Sequence, residues 1–468
     1  MRGVRYAFRM RLLNAALSAA LAACLPALAA HAGAPADPPK DAHSRHTLAK
    51  PEQVRTKLRD GSRVRAKVTA FDSEGFDGEG TVEPERKSDA RPAPFTRAKW
   101  LDIAPAELEA LHNKILDEKK ADDLVLKGEL LLAVGESAAA DKAFARAAKL
   151  DPATKPRIAE ARTHAAERAA QAEAADRAAR HKAMCDSVPN HGAKPWPLLD
   201  AKAQDEALAE MKRRAEQICR DANMRPAVVE TRYFVLYGAV NEASMRECAR
   251  SLDAMYEAVL ELFGIPAGLN LFWGKAVVLL TPTEETFRLV EAAGFKTMTP
   301  KGVVGLCHQV GPAVFVNMFW SNDQDRFDST LIHETVHGIV HRYYSDVRLP
   351  DWANEGLSEY IAMVSFKTSP VEKDRMPQAL SYIRSGRSVA DVMRLNYRDG
   401  SWPGPDAIGY AVGYAVVKLM IRQQPEAFGR WIRAVKGGKP WEDALREDFG
   451  HPVEAFAPTV EQWYRTRD

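Results

Sequence analysis

Cysteine is scarce in this chain, and where it occurs it is poorly placed for metal. The 468 residues hold five: Cys24, Cys185, Cys219, Cys248 and Cys307. No two lie at the short spacing of a zinc knuckle or ribbon, which excludes a cysteine-built metal site. An excess of one charge is also missing. Lys plus Arg total 65 against 63 Asp plus Glu, a net charge of +2. Overall charge therefore argues neither for nucleic acid nor for an anionic membrane surface. Long apolar runs are absent except near the amino terminus. What is present is an ordinary globular composition, 46% hydrophobic, which can build a large core. The length implies two to four domains.

The exception near the amino terminus reads as a secretory signal peptide over residues 1–32. Arg2, Arg5, Arg9 and Arg11 precede an apolar run from Leu12 to about Ala30, and Ala30-His31-Ala32 offers a small-residue cleavage site. Asn14, Ser18 and Pro26 interrupt the run and make it a poor permanent membrane helix. Leu21-Ala22-Ala23-Cys24 also resembles a bacterial lipobox. Cleavage after Ala32 is preferred over lipidation at Cys24, because the chain after Cys24 stays apolar. The expectation is an exported protein of the periplasm or cell envelope, with no membrane span after processing. In an oxidising compartment the other four cysteines can form two disulfides in three connectivities, or remain as buried thiols.

Residues 33–46, rich in Ala, Pro and Asp, read as a linker. Val54–Leu58, Asp60-Gly61 and Val64–Phe71 form the pattern of a hairpin with a D-G turn, in a small β module at 47–100. Residues 105–183 are helical. Leu124, Gly128, Leu131, Gly135, Ala140, Phe144, Ala147 and Pro152 have the spacing of one tetratricopeptide repeat. That segment is either a protein-binding groove or a helical spacer. From 156 to 183 the composition is that of a solvated linking helix, with charge pairs at i, i+4. Residues 195–468 form the last domain, with strands at Thr231–Gly238, Lys275–Leu280, Val303–Leu306 and Ala313–Met318 ahead of a helical remainder. The fold class is α+β.

The chemistry concentrates at 328–360. His333-Glu334-x-x-His337 lies in a run from Ser329 to Tyr344 with no proline, with Asp328, Ser329 and Thr330 as capping candidates. Ile332, Val336, Ile339, Val340 and Tyr343 recur at helical spacing. On a helix, residues four apart share a face, so both imidazoles can point at one ion. Glu334 is turned aside and can reach a water at the open position without being a ligand. A second helix, about Trp352–Val364, with Asp351 as its cap, carries Glu355 in its first turn. His333, His337 and Glu355 make the three-ligand set of a catalytic zinc site. Glu359, one turn on, can accept a hydrogen bond from the outer nitrogen of a ligating histidine. His341 lies two turns from His333, too far to share an ion on a straight helix. Cys307 and His308 are adjacent in a strand and face opposite ways.

These motifs resemble those of the gluzincins, the thermolysin-like clan of zinc metallopeptidases. Trp352-x-x-Glu355-Gly356 is similar to aminopeptidase-type members, and Asn354-Glu355-x-x-Ser358-Glu359 to thermolysin, with Glu359 where that family usually has aspartate. The Leu349-Pro350-x-Trp352-x-x-Glu355-Gly356-x-x-x-Tyr360 pattern is closer still to the peptidase MA-like group. The resemblance implies a thermolysin-like zincin domain and one zinc ion, with Glu334 as general base. It also implies that Ala313–Met318 lines the cleft and pairs with an extended substrate. Tyr410, on a helix Ile408–Ile421, is the candidate for steadying the oxyanion. The expected function is an exported zinc peptidase acting on peptide or protein. The alternative is a non-catalytic envelope binding or assembly protein that uses the helical repeat, with the zincin fold as scaffold.

Overall fold

The computed structural model describes residues 46–72, 74–84, 93–299 and 302–466. The expected signal peptide, its cleavage site, Cys24 and nearly all of the 33–46 linker lie outside the described residues. The chain divides into two compact units, one within Ala29–Ala175 and the other from Asp176 to Asp468. Among the described residues no helix is long and apolar enough to cross a membrane.

In the first unit β1 (His46–Lys57), β2 (Arg63–Phe71), β3 (Gly75–Glu83) and β4 (Ala93–Lys99) form an antiparallel sheet in sequence order. The D-G turn is where the sequence places it, with Gly61 at φ +90° between β1 and β2. Three helices follow: α1 (Pro105–Ile115), α2 (Ala121–Ala133) and α3 (Ser137–Leu150). The expected boundary between a β module and a helical segment is not a boundary between cores. Val54, Val64, Val68, Phe76 and Phe95 of the sheet share one apolar cluster with Leu108, Leu111 and Ile115 of α1. A four-stranded sheet with one apolar face must cover it, and α1 does so. α2 and α3 meet at Gly128, where a Cβ would stand 2.3 Å from the Phe144 ring. α4 (Lys155–Asp186) runs on from this unit into the next and is mostly exposed.

The second unit adds α5 (Ala201–Asp221), β5 (Ala227–Glu230), β6 (Phe234–Gly238), α6 (Glu242–Leu262), β7 (Ala276–Thr281), α7 (Glu284–Val290), β8 (Gly305–Val310) and β9 (Ala313–Phe319). The sheet order is β5-β6-β7-β9-β8. β6, β7 and β9 are mutually parallel, and β5 and β8 run antiparallel at the two edges. The fold is mixed helix and sheet, consistent with α+β. The expected strand Thr231–Gly238 begins only at Phe234, as β6, because the chain turns at Thr231, whose amide bonds back to the Phe234 carbonyl. A helical body closes the unit: α8 (Gln324–Arg342), α9 (Asp351–Ser365), α10 (Val371–Arg384), α11 (Val389–Met393), α12 (Ile408–Gln423), α13 (Pro425–Lys436), α14 (Trp441–Phe449) and α15 (Val453–Arg465).

Two corrections bear on function. β9 is an interior strand, paired on both sides, so it presents no free edge to a substrate. On this side of the sheet the edge strand is β8, which among the described residues pairs only with β9. The motif helix also begins earlier than its sequence cap candidates. Asp323 caps it, accepting from the Arg326 amide at 3.2 Å, and Phe327 is already core. Asp328, Ser329 and Thr330 sit inside α8.

Candidate metal centre

The site forms where α8 and α9 pack together. α8 carries His333, Glu334 and His337, and α9 carries Glu355. The loop between the helices is clamped from below by a buried lysine. Lys436 Nζ donates to the Ser345 carbonyl at 2.6 Å and the Val347 carbonyl at 2.7 Å, while Ser345 Oγ donates to the Lys436 carbonyl at 2.6 Å. Burial pushes the Lys436 ammonium down to about 7. On its far side α9 lies backbone to backbone against α12. A Cβ on Gly356 would stand 2.3 Å from the Gly413 carbonyl oxygen, and one on Gly413 would stand 2.5 Å from that of Trp352. No side chain larger than hydrogen fits this crossing.

Three ligand atoms converge at the centre. His333 Nε2 lies 3.1 Å from His337 Nε2 and 3.0 Å from Glu355 Oε2, and His337 Nε2 lies 3.3 Å from the same oxygen. Two bonds of zinc–nitrogen length meeting tetrahedrally separate their ends by about 3.3 Å. The triangle therefore fits one face around a single ion. These three residues are the group able to hold a metal among the described residues. Burial alone would lower the His333 ring, but the Glu355 contact and the charges of Glu359, Glu355 and Glu334 outweigh it and raise the ring to about 9. Burial likewise opposes ionisation of Glu355, and the two imidazoles override it, holding that carboxyl well below the usual range. A point that so favours positive charge suits a cation.

The surroundings orient these ligands. His337 Nδ1 is met by the Asn354 amide at 3.0 Å and by Ser358 Oγ at 3.2 Å. Glu359 does not take the role expected of it. Its Oε1 stands 3.9 Å from His333 Nδ1, beyond hydrogen-bond reach, because Arg375 draws the carboxylate into an ion pair at 2.6 Å. His341 is structural, with Nε2 on the Gly311 carbonyl at 2.8 Å. The four described cysteines are free thiols.

Tyr397 is the residue that sequence reasoning missed. Its hydroxyl donates to Glu355 Oε1 at 3.0 Å and lies 3.4 Å from the Tyr410 hydroxyl. It sits on a loop 42 residues past Glu355, placed there by its own amide bonding Asp351 Oδ2 at 2.7 Å. No local pattern announces such a contact. Burial and the nearby Glu355 carboxylate keep both phenols protonated, so each is available as a donor. Tyr410 reaches the same cleft, with the Arg375 guanidinium 5.3 Å from its ring centre.

The ligand triangle opens onto a cleft of about 1020 Å³. Its lining runs along α8 from Arg326 past Glu334 to His341, with β8 on the facing side. By helix rise that is about 22 Å, the length of six or seven extended residues. Burial pushes the Glu334 carboxyl up, while the charges of His333 and His337 hold it down. No protein-family model matches the chain and no curated protein matches it.

Proposed function

We propose that the chain is a zinc-dependent peptidase that hydrolyses peptide bonds in an extended segment lying along the cleft, and that it acts after export. The observation that supports this most is the convergence of His333, His337 and Glu355 beside a half-buried Glu334 outside that group, at the floor of a cleft with a free strand edge. When bound there, zinc supplies Lewis acidity toward a carbonyl oxygen and makes water a nucleophile near neutral pH.

The chain's own residues do the rest. Glu334 accepts the proton of the attacking water and returns it to the leaving amine, a task suited to a carboxylate with a raised pKa. Tyr410 offers a hydroxyl donor to the oxygen that gains charge. The unpaired edge of β8 offers amides and carbonyls to the main chain of the peptide, and pockets beside it select side chains. Tyr397 also holds Glu355 in place through the oxygen turned away from the histidines.

Two histidines and a carboxylate also hold ferrous iron in oxygenases. Metal analysis of the purified protein separates the two, and the peptidase reading expects about one equivalent of zinc. Glu334→Gln should keep that zinc and reduce cleavage of a proteome-derived peptide library by ~10²-fold or more. Equal turnover in the variant and the wild type rejects the assignment.

A further inference from the structure

The near-neutral charge of the whole chain conceals a local separation on the first unit. In β2 the residues alternate strictly: Val64, Ala66 and Val68 are buried, while Arg63, Arg65 and Lys67 are exposed. In β1, Val54 and Thr56 are buried and Arg55 and Lys57 are exposed. The register sets these cations side by side. Arg55 lies directly opposite Arg65, and Lys57 directly opposite Arg63. Both pairs project from the face away from α1, since the other face is the apolar core.

Like charges directly opposite one another weaken a sheet, so folding alone gives no reason for this arrangement. Charged edge strands do protect against unwanted pairing, and that accounts for β1. It does not account for β2, which lies between β1 and β3 with both edges paired. The acids on the same face are few. Glu79 and Glu83 of β3 lie opposite Lys67 and Arg63, and Arg65 reaches Glu83 at 3.3 Å. Arg55, Arg63 and Lys67 form no ion pair with a described residue.

We propose that this face is a docking surface for a bilayer carrying anionic phospholipid headgroups. It is the outer side of a sheet, with cations on two adjacent strands about 4.8 Å apart, which matches a surface of charges rather than a single thread. The positions that project with them are Gln53, Glu79, Thr81, Glu83 and Pro94. None is aromatic, and single-stranded nucleic acid is normally held by bases stacked on rings. The sheet also follows the expected leader with only the 33–46 linker between. The proposal is independent of the metal centre.

The test uses the full chain and vesicles of phosphatidylglycerol and phosphatidylcholine at three to seven, with pure phosphatidylcholine as reference. The quantity read is the ratio of binding to the two, compared between variant and wild type, because Arg2, Arg5, Arg9 and Arg11 of the leader add to that ratio equally in both. Arg63→Gln with Arg65→Gln should lower that ratio about 30-fold at low salt, equivalent to ~2 kcal/mol for two cations at the surface. High salt should abolish the wild-type preference. Arg63→Lys with Arg65→Lys should keep it. The glutamine variant should melt no lower than wild type, because like-charge repulsion is relieved. An unchanged ratio in the glutamine variant overturns the proposal. So does loss of preference in the lysine variant, or tighter binding to an oligonucleotide than to the anionic vesicles at equal salt.

Discussion

Tyr397 and Glu355 divide the work of one carboxylate: the tyrosine hydroxyl holds Oε1 at 3.0 Å, leaving Oε2 to face both histidine nitrogens. Tyr397→Phe removes that hold without changing the fold. Partners of this kind are typically worth 10- to 100-fold in metal affinity. Zinc affinity should fall about tenfold in a competition titration against a chromophoric chelator, while the circular dichroism spectrum stays unchanged. Wild-type affinity in the variant would show that Glu355 is fixed by its helix alone.

Gly356→Ala tests the crossing of α9 over α12. The added methyl group meets the Gly413 carbonyl at 2.3 Å, and backbone cannot move aside as a flexible side chain can. Overpacking of this kind costs about 1–3 kcal/mol. Denaturant midpoints should drop accordingly. Zinc content should drop with them, because the residue before Gly356 is the third member of the candidate metal group.

Lys436 gives stability a pH dependence in the alkaline range. Its folded-state pKa is lowered by burial to about 7, from the ordinary lysine value of 10.5. Between those values the unfolded chain binds more protons than the folded one, so stability rises with pH across that window. Lys436→Met should flatten this rise. The check is the difference between the two proteins in urea unfolding at pH 6, 8 and 9.5. Parallel pH profiles would count against a neutral, buried amine at high pH.

His112 does the same in the acid range for the first unit. It is fully buried against Trp100, neither ring nitrogen has a hydrogen-bond partner, and burial lowers it to about 4. The neutral ring is the folded form. Stability is therefore complete above about 6.5 and is lost as pH falls toward 4, by roughly 3 kcal/mol in all. His112→Leu should remove most of this acid sensitivity, read by hydrogen exchange in residues 46–175.

What the sequence made legible was what depends on near neighbours. His333 and His337 share a face because they are four apart, and Glu355 stands out through the pattern around it. The alternation in β2 and the turn at Gly61 are equally local. Less visible were features set by chain reversal and distance. β8 and β9 are joined by a tight turn, and nothing in either strand says which one reaches the edge. Glu359 has the right spacing to serve a histidine, yet Arg375, sixteen residues on, takes it instead. Tyr397 depends on an amide contact to Asp351, which no periodicity encodes. Gly356 was visible only as part of a motif, and its physical reason is the backbone of another helix.

The Lys436 clamp and the glycine crossing brace the two helices of the candidate metal group through contacts of the chain itself. A chelator should therefore strip the protein without unfolding it, leaving a socket already cut to shape. Reloading would then be a matter of seconds after mixing rather than a refolding event, and cobalt could be exchanged in as a coloured reporter of the coordination geometry.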